Sequence, residues 1–218
     1  MTREELGETA IFRGMTDDEV GCALEALRAE ERRCPKGAVI LRAGETTERM
    51  GLVLSGSVTV ETNDLWGNRT ILSHVGAGGS FAETYALLRD EVLLVDAVAN
   101  EDCLILFLRI AALRAVSPEG RPWVTKLIAN LLTVSAHKNL ALSGRSFHTA
   151  PKSARGRIMA YLNTVSLQQQ NKEFDVPFDR QQMADYLNLD RSALSKELGK
   201  MRDEGIIAFR KSHFVIRG

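Results

Sequence analysis

Arg191, Ser192, Ser195 and Lys196 stand at i, i+1, i+4 and i+5 in the stretch Asp179–Ile207, DRQQMADYLNLDRSALSKELGKMRDEGII. On a helix that spacing gathers them on one face near the N-terminal end, with Leu194, Leu198 and Met201 at i, i+4 and i+7 on the other. Arginine suits bidentate contact with guanine in the major groove, and serine and lysine suit phosphates or mixed contacts. The same side chains could also form the solvated face of an ordinary helical hairpin.

The flanking residues decide how that face is held. Asp179 can cap a helix over Arg180–Tyr186, with Gln182 at the reciprocal position of a capping box. Leu187-Asn188-Leu189 makes a tight turn, and Asp190 caps a second helix that runs to about Asp203 and stops at Gly205. Two helices joined by so short a turn are a helix-turn-helix. Beyond it, IIAFR and HFVIR read as two short strands separated by Lys211-Ser212, with Arg210, Lys211 and Arg217 set to lie close to a phosphate backbone, a winged helix. The candidate DNA-binding residues are therefore Arg180, Arg191, Ser192, Ser195, Lys196 and Lys211.

The remaining chain reads as a different kind of object. Thr16-Asp17-Asp18-Glu19 is a capping-box pattern that opens a short amphipathic helix ending near Arg28. From Pro35 onward, short apolar runs are punctuated by glycine: AVILRAG, MGLVLSGSVTVET, RTILSHVGAGGSF, VLLVDAVA and CLILFLR. Strands broken every eight to twelve residues indicate an antiparallel barrel or jelly roll. Gly56 is one expected turn and Trp66-Gly67-Asn68 is a second hairpin tip.

After Ser117-Pro118 the glycines stop and a long helix begins. Val124, Leu127, Leu131 and Val134 fill a and d positions of a heptad, and the register continues to Lys138 and Ala141. That seam is expected to pair two subunits, with a core helix inside one chain as the alternative. Gly144–Pro151, GRSFHTAP, reads as the break to the last domain, giving divisions at 1–117, 118–145 and 146–218. Ile158, Tyr161, Leu162 and Val165 then recur at helical spacing ahead of a strand-like Val176-Pro177-Phe178.

Composition narrows the classes. The 218 residues carry 28 Lys and Arg against 28 Asp and Glu, a net charge of zero. Residues 1–145 hold 16 bases and 20 acids and residues 146–218 hold 12 and 8, so a mildly acidic part is joined to a basic one. Cys22, Cys34 and Cys103 write neither a disulfide framework nor a zinc pattern, and are expected reduced and mostly buried. The four histidines are scattered, and only His74 lies within the roll, which argues against a cupin-like metalloenzyme. The charged N-terminus and the lack of an apolar run near 20 residues give a cytoplasmic protein with no membrane partner.

On FDRQQMADYLNLDRSALSKEL, and more weakly on GGSFAETYALL at 78–88, the chain resembles the Crp/Fnr family of bacterial transcription regulators. The second stretch is similar to the family's Gly-Asp-x-Phe-Gly-Glu turn, where its cyclic-nucleotide phosphate cassette begins. The resemblance spans essentially the whole length. It implies an α+β protein with an N-terminal β-roll, a long dimerisation helix and a C-terminal winged helix-turn-helix. It further implies a homodimer on a palindromic operator, switched by an effector, with RNA polymerase as a further candidate partner. Arg191 matches the family's guanine-reading arginine, while Ser192 stands where glutamate is common.

The cassette departs from the cyclic-AMP pattern. Leu93 and Leu94 fall where that pattern has Arg-Ser, and residues 82–96 hold one base, Arg89, against four acids. A cyclic phosphate there would meet a negative field. A four-cysteine iron–sulfur cluster lacks its fourth cysteine. The expectation is no cofactor, with haem through His74 or His137 as the alternative, and a different small-molecule effector near Glu83, Tyr85, Arg89, Asn130, His137 and Lys138. For Lys138 the competing reading is a side chain that snorkels and fixes dimer register.

Overall fold

The computed structural model describes residues 2–63 and 69–217, with only the backbone of Arg69; the expected hairpin tip Trp66-Gly67-Asn68 lies outside the described residues. The chain divides into two compact units, residues 1–137 and 138–218. The division falls inside the long helix, at a different place from the boundaries expected at 117 and 145.

The first unit begins with α1 (Arg3–Gly7) and α2 (Asp17–Ala26), each opened by a complete capping box, Thr2 with Glu5 and Thr16 with Glu19. The strands follow as β1 (Glu30–Cys34), β2 (Val39–Leu41), β3 (Met50–Ser55), β4 (Val58–Asn63), β5 (Arg69–Val75) and β6 (Ser80–Phe81). The short helix α3 (Glu83–Leu88) precedes β7 (Asp96–Ala99), β8 (Cys103–Leu108) and a 3-10 segment at Ile110–Ala115. Two antiparallel four-stranded sheets result, in the orders β1-β8-β3-β6 and β2-β7-β4-β5. Gly56 turns the β3–β4 hairpin at φ +79°, where a Cβ would stand 2.8 Å from both the Asp102 carbonyl and the Cys103 Sγ. Gly51 is required for packing, because a Cβ there would lie 2.2 Å from the Phe81 ring.

The long helix α4 (Pro122–Thr149) corrects the expected seam. Val124, Leu127 and Leu131 are buried, at 4% exposure or less, in a cluster with Ile11, Phe12, Leu27 and Leu108 of the same chain, and Val134 packs on that cluster. Heptad spacing marked an apolar stripe correctly but could not say what covers it. The outward apolar residues of this stretch are Ile128 and Leu132, 51% and 70% exposed. The helix also runs on through Gly144–Thr149, so the break comes at 150–153.

The second unit contains α5 (Ala154–Gln169), β9 (Glu173–Asp175), α6 (Arg180–Tyr186), α7 (Arg191–Asp203), β10 (Ile207–Arg210) and β11 (His213–Ile216). The strand expected at Val176-Pro177-Phe178 falls three residues earlier. Pro177 has no N–H to extend a ladder, and the backbone bond from Val176 to Ser212 is the last before it. The sheet order is β10-β11-β9, antiparallel throughout. Ile158, Leu162, Met183, Leu187, Leu194, Leu198, Met201 and Phe214 form its core, all fully buried.

Candidate nucleic-acid interface

Helix α7 owes its attitude to its buried stripe and to α5. Leu194, Leu198 and Met201 are wholly buried, while Arg191, Ser192, Ser195 and Lys196 are exposed, as their spacing requires. Arg155 on α5 donates from Nε to Glu197 at 2.7 Å and from both Nη atoms to the Glu204 carboxylate at 2.7 Å, so one guanidinium ties the helix down at two levels. Those bonds hold the Glu204 carboxyl below its ordinary range, with the Arg155 hydrogen bond as the main cause.

The turn ahead of α7 is equally specified. Asp179 caps α6 and Gln182 reciprocates, as expected. Asn188 adopts φ +54°, a left-handed conformation that asparagine tolerates better than most residues. Arg157 donates to the carbonyls of Leu187 at 3.3 Å and Asn188 at 2.8 Å, and Arg145 donates to those of Asp185 and Tyr186, both at 3.3 Å. Two arginines thus serve the carbonyl-rich end of α6, where a helix leaves its acceptors and partial negative charge. Asp190 occupies the N-cap position of α7, but its side chain makes no capping bond.

Lys211 sits exposed at the wing turn with φ +54°. Arg180, expected among the DNA-binding residues, is engaged within the domain. Its Nη2 donates to the Lys211 carbonyl at 2.7 Å, and its guanidinium carbon lies 5.0 Å and 5.2 Å from the ring centres of Phe209 and Phe214. An arginine spent in this way holds the wing against α6. Neither Arg145 nor Arg157 was among the expected site residues; basic side chains before an HTH carry no local sign that they bind backbone.

The expected effector residues lie on several elements of the first unit and at the unit division. Glu83 is buried and accepts from the Ser80 hydroxyl at 2.5 Å. The Tyr85 hydroxyl accepts from the Leu94 N–H at 3.4 Å, and Arg89 pairs with Glu48 at 2.6 Å. Asn130 donates to the carbonyls of Ile11 and Arg13 at 3.0 and 2.9 Å, which fastens α4 to the N-terminal segment. His137 is exposed and Lys138 half-buried, the last residue of one unit and the first of the other. His74 presents Nδ1 to Thr59 Oγ1 at 3.1 Å. Among the described residues no group of three or more metal-ligating side chains is assembled, and no helix is long and apolar enough to cross a membrane.

Comparison with known proteins matches both parts. Residues 31–117 fit the model of the cyclic nucleotide-binding domain, and residues 156–217 fit the Crp-like helix-turn-helix domain. The chain belongs to the Crp/Fnr family. The catabolite activator protein of Thermus thermophilus is 26% identical over 96% of this chain and 94% of its own, with a TM-score of 0.52. The c-di-GMP-responsive regulator CLP of Xanthomonas campestris is 18% identical over 91% and 99%, at 0.60, and CprK complexed with OCPA is 14% identical over 92% of each chain, at 0.65. No curated protein matches. As a Crp/Fnr protein the chain is a transcription regulator with a DNA-binding helix-turn-helix domain in its second unit.

Proposed function

We propose that the protein is a homodimer that binds a palindromic operator, with α7 in the major groove, and that its DNA affinity is set by a small molecule other than cyclic AMP acting on the first unit. The observation that carries the DNA reading is the coincidence of an exposed Arg191, Ser192, Ser195 and Lys196 face with a buried Leu194, Leu198 and Met201 stripe on a helix anchored by Arg155. Lys211 meets the phosphates from the wing, and Arg180 acts by holding that wing in place. The dimer forms through the outward face of α4 that carries Ile128 and Leu132, a contact that buries surface otherwise left in water.

Against cyclic AMP stands the loop that resembles the phosphate cassette. Leu93 is buried, with its N–H on the Glu45 carbonyl and its own carbonyl accepting from Gly44, and Leu94 is 74% exposed. Neither offers a donor side chain to a phosphate. Arg89 already answers Glu48, whose carboxyl it holds below the ordinary range. Solved neighbours described as c-di-GMP-responsive or complexed with OCPA support a fold that accommodates unlike effectors. The protein works in the cytoplasm without a bound cofactor, and RNA polymerase is its further partner.

The test is a binding titration with a duplex enriched from a random pool, repeated with cyclic AMP, c-di-GMP and a panel of small aromatic acids. A shift in duplex affinity with one of the others and none with cyclic AMP supports the proposal. Tightening by cyclic AMP alone overturns its effector part. A haem absorption band in the purified protein would overturn its statement on cofactors.

A further inference from the structure

The last two turns of α4 carry Arg145 and His148, and both reach Tyr186, the final residue of α6. His148 is 4% exposed. Its Nε2 lies 2.9 Å from the Thr164 hydroxyl on α5, and its Nδ1 lies 3.0 Å from the Tyr186 hydroxyl. The assignment of protons follows from counting donors. Thr164 has one hydroxyl proton, which it donates to the Ala160 carbonyl at 3.0 Å. It must then accept from His148, so Nε2 carries the ring proton. The lone pair on Nδ1 is left to accept the Tyr186 O–H. One neutral tautomer satisfies every group.

Arg145 holds the same residue from another side. It donates to the Tyr186 carbonyl, and its guanidinium carbon lies 5.6 Å from the Tyr186 ring centre. Phenol, ring and backbone of Tyr186 are therefore all engaged from the end of α4, and five residues later α7 begins. We infer that Arg145 and His148 are positioning residues for DNA reading, clamping Tyr186 so that α6 and α7 keep one attitude to the end of the long helix, with His148 working only as the neutral Nε2–H tautomer. The inference rests on α7 being the reading helix.

The surroundings oppose a second proton on the ring. The titratable groups that face it are Tyr161 from α5, whose ring is edge-on at 5.5 Å, and Tyr186 from α6, which Arg145 of α4 holds from its other side. Among the described residues no carboxylate hydrogen-bonds to His148. A proton on Nδ1 takes away the lone pair that accepts the Tyr186 O–H, so that bond is lost as acid converts His148 to the cation. Burial also pushes the imidazole below its ordinary pKa, and the phenols of Tyr161 and Tyr186 above theirs, which keeps both phenols neutral.

Nitrogen-15 NMR of the full-length protein labelled at histidine, together with duplex binding, tests this. At neutral pH His148 should show a protonated Nε2 and an unprotonated Nδ1; a charged ring or the opposite tautomer would overturn the inference. Affinity of the wild type for its enriched duplex should fall by about tenfold between about pH 7 and pH 5, the loss of roughly one buried hydrogen bond. His148→Gln, which keeps an N–H for Thr164 but cannot take up a proton, should lose most of that pH dependence, although His213 still titrates. An unchanged profile in H148Q contradicts the clamp. Tyr186→Phe leaves the ring and removes the donor to Nδ1, so the step should move to higher pH; an unmoved midpoint contradicts it too. Failure of the reading-helix assignment would look different, because Arg191→Ala would then bind the duplex as the wild type does.

Discussion

The guanidinium carbon of Arg180 lies 5.0 Å from the centre of the Phe209 ring, so the first residue of α6 is packed on the wing. With its donation to the Lys211 carbonyl, the arrangement predicts that Arg180→Ala destabilises the second unit by about 1–2 kcal/mol, one partly buried cation–π contact and one hydrogen bond. Denaturant unfolding measures this. The salt dependence of duplex binding should keep its slope, since no phosphate contact is removed. A slope reduced by about one with unchanged stability would place Arg180 on the phosphate backbone instead.

The two stripes of α4 separate by substitution. Leu131→Ala should cost about 2–5 kcal/mol of stability, as a large-to-small change in a closed core does. Leu132→Asp should leave the fold of the protomer intact and yield monomers in sedimentation. Dimers that survive both L132D and I128D would place the subunit contact elsewhere.

These two cases show where sequence reading succeeds and where it stops. The bounds of α6 and α7 were readable because their determinants are local: a capping box at Asp179 and Gln182, an asparagine able to turn left-handed, and core residues one helical turn apart. Strand β1, Glu-Glu-Arg-Arg-Cys, gave no such signal. Its first four residues are exposed, and what makes it a strand is antiparallel pairing with the apolar β8 some seventy positions on, which leaves a charged strand at the sheet edge. The Val124 stripe was assigned by residue type and spacing and Arg180 was counted among the DNA-binding residues, and each is engaged by a neighbour distant in sequence. The effector candidates share that difficulty: Asn130 looked available until the N-terminal carbonyls of Ile11 and Arg13 supplied its partners.

His213 on β11 stands between Glu173 and Asp175 of β9 on one side and Arg210 of β10 on the other. The hydrogen bond to Glu173 is the main cause that raises its pKa above the ordinary 6.5. A raised value in the folded state means the stabilisation is complete below about pH 6.5 and fades as pH climbs through the folded-state pKa. Thermal melts of His213→Gln should therefore differ from the wild type in acid and converge with it in base. Convergence in acid instead would reverse the sign.

Arg191 and Lys196 share a face but should fail differently. Arg191→Ala is expected to cost about 1–3 kcal/mol on the best duplex and to relax preference at one base pair. Lys196→Ala should weaken all duplexes alike and lower the salt slope by about one. Competition assays against single-base variants separate the two behaviours.

The central claim is that paired copies of α7 read DNA across a two-fold axis, and selection of duplexes from a random pool by the full-length protein tests it most directly. The enriched sequence should be an inverted repeat whose half-sites are centred about 10 base pairs, or roughly 34 Å, apart. Enrichment of a single unrepeated site, or of none, would contradict it.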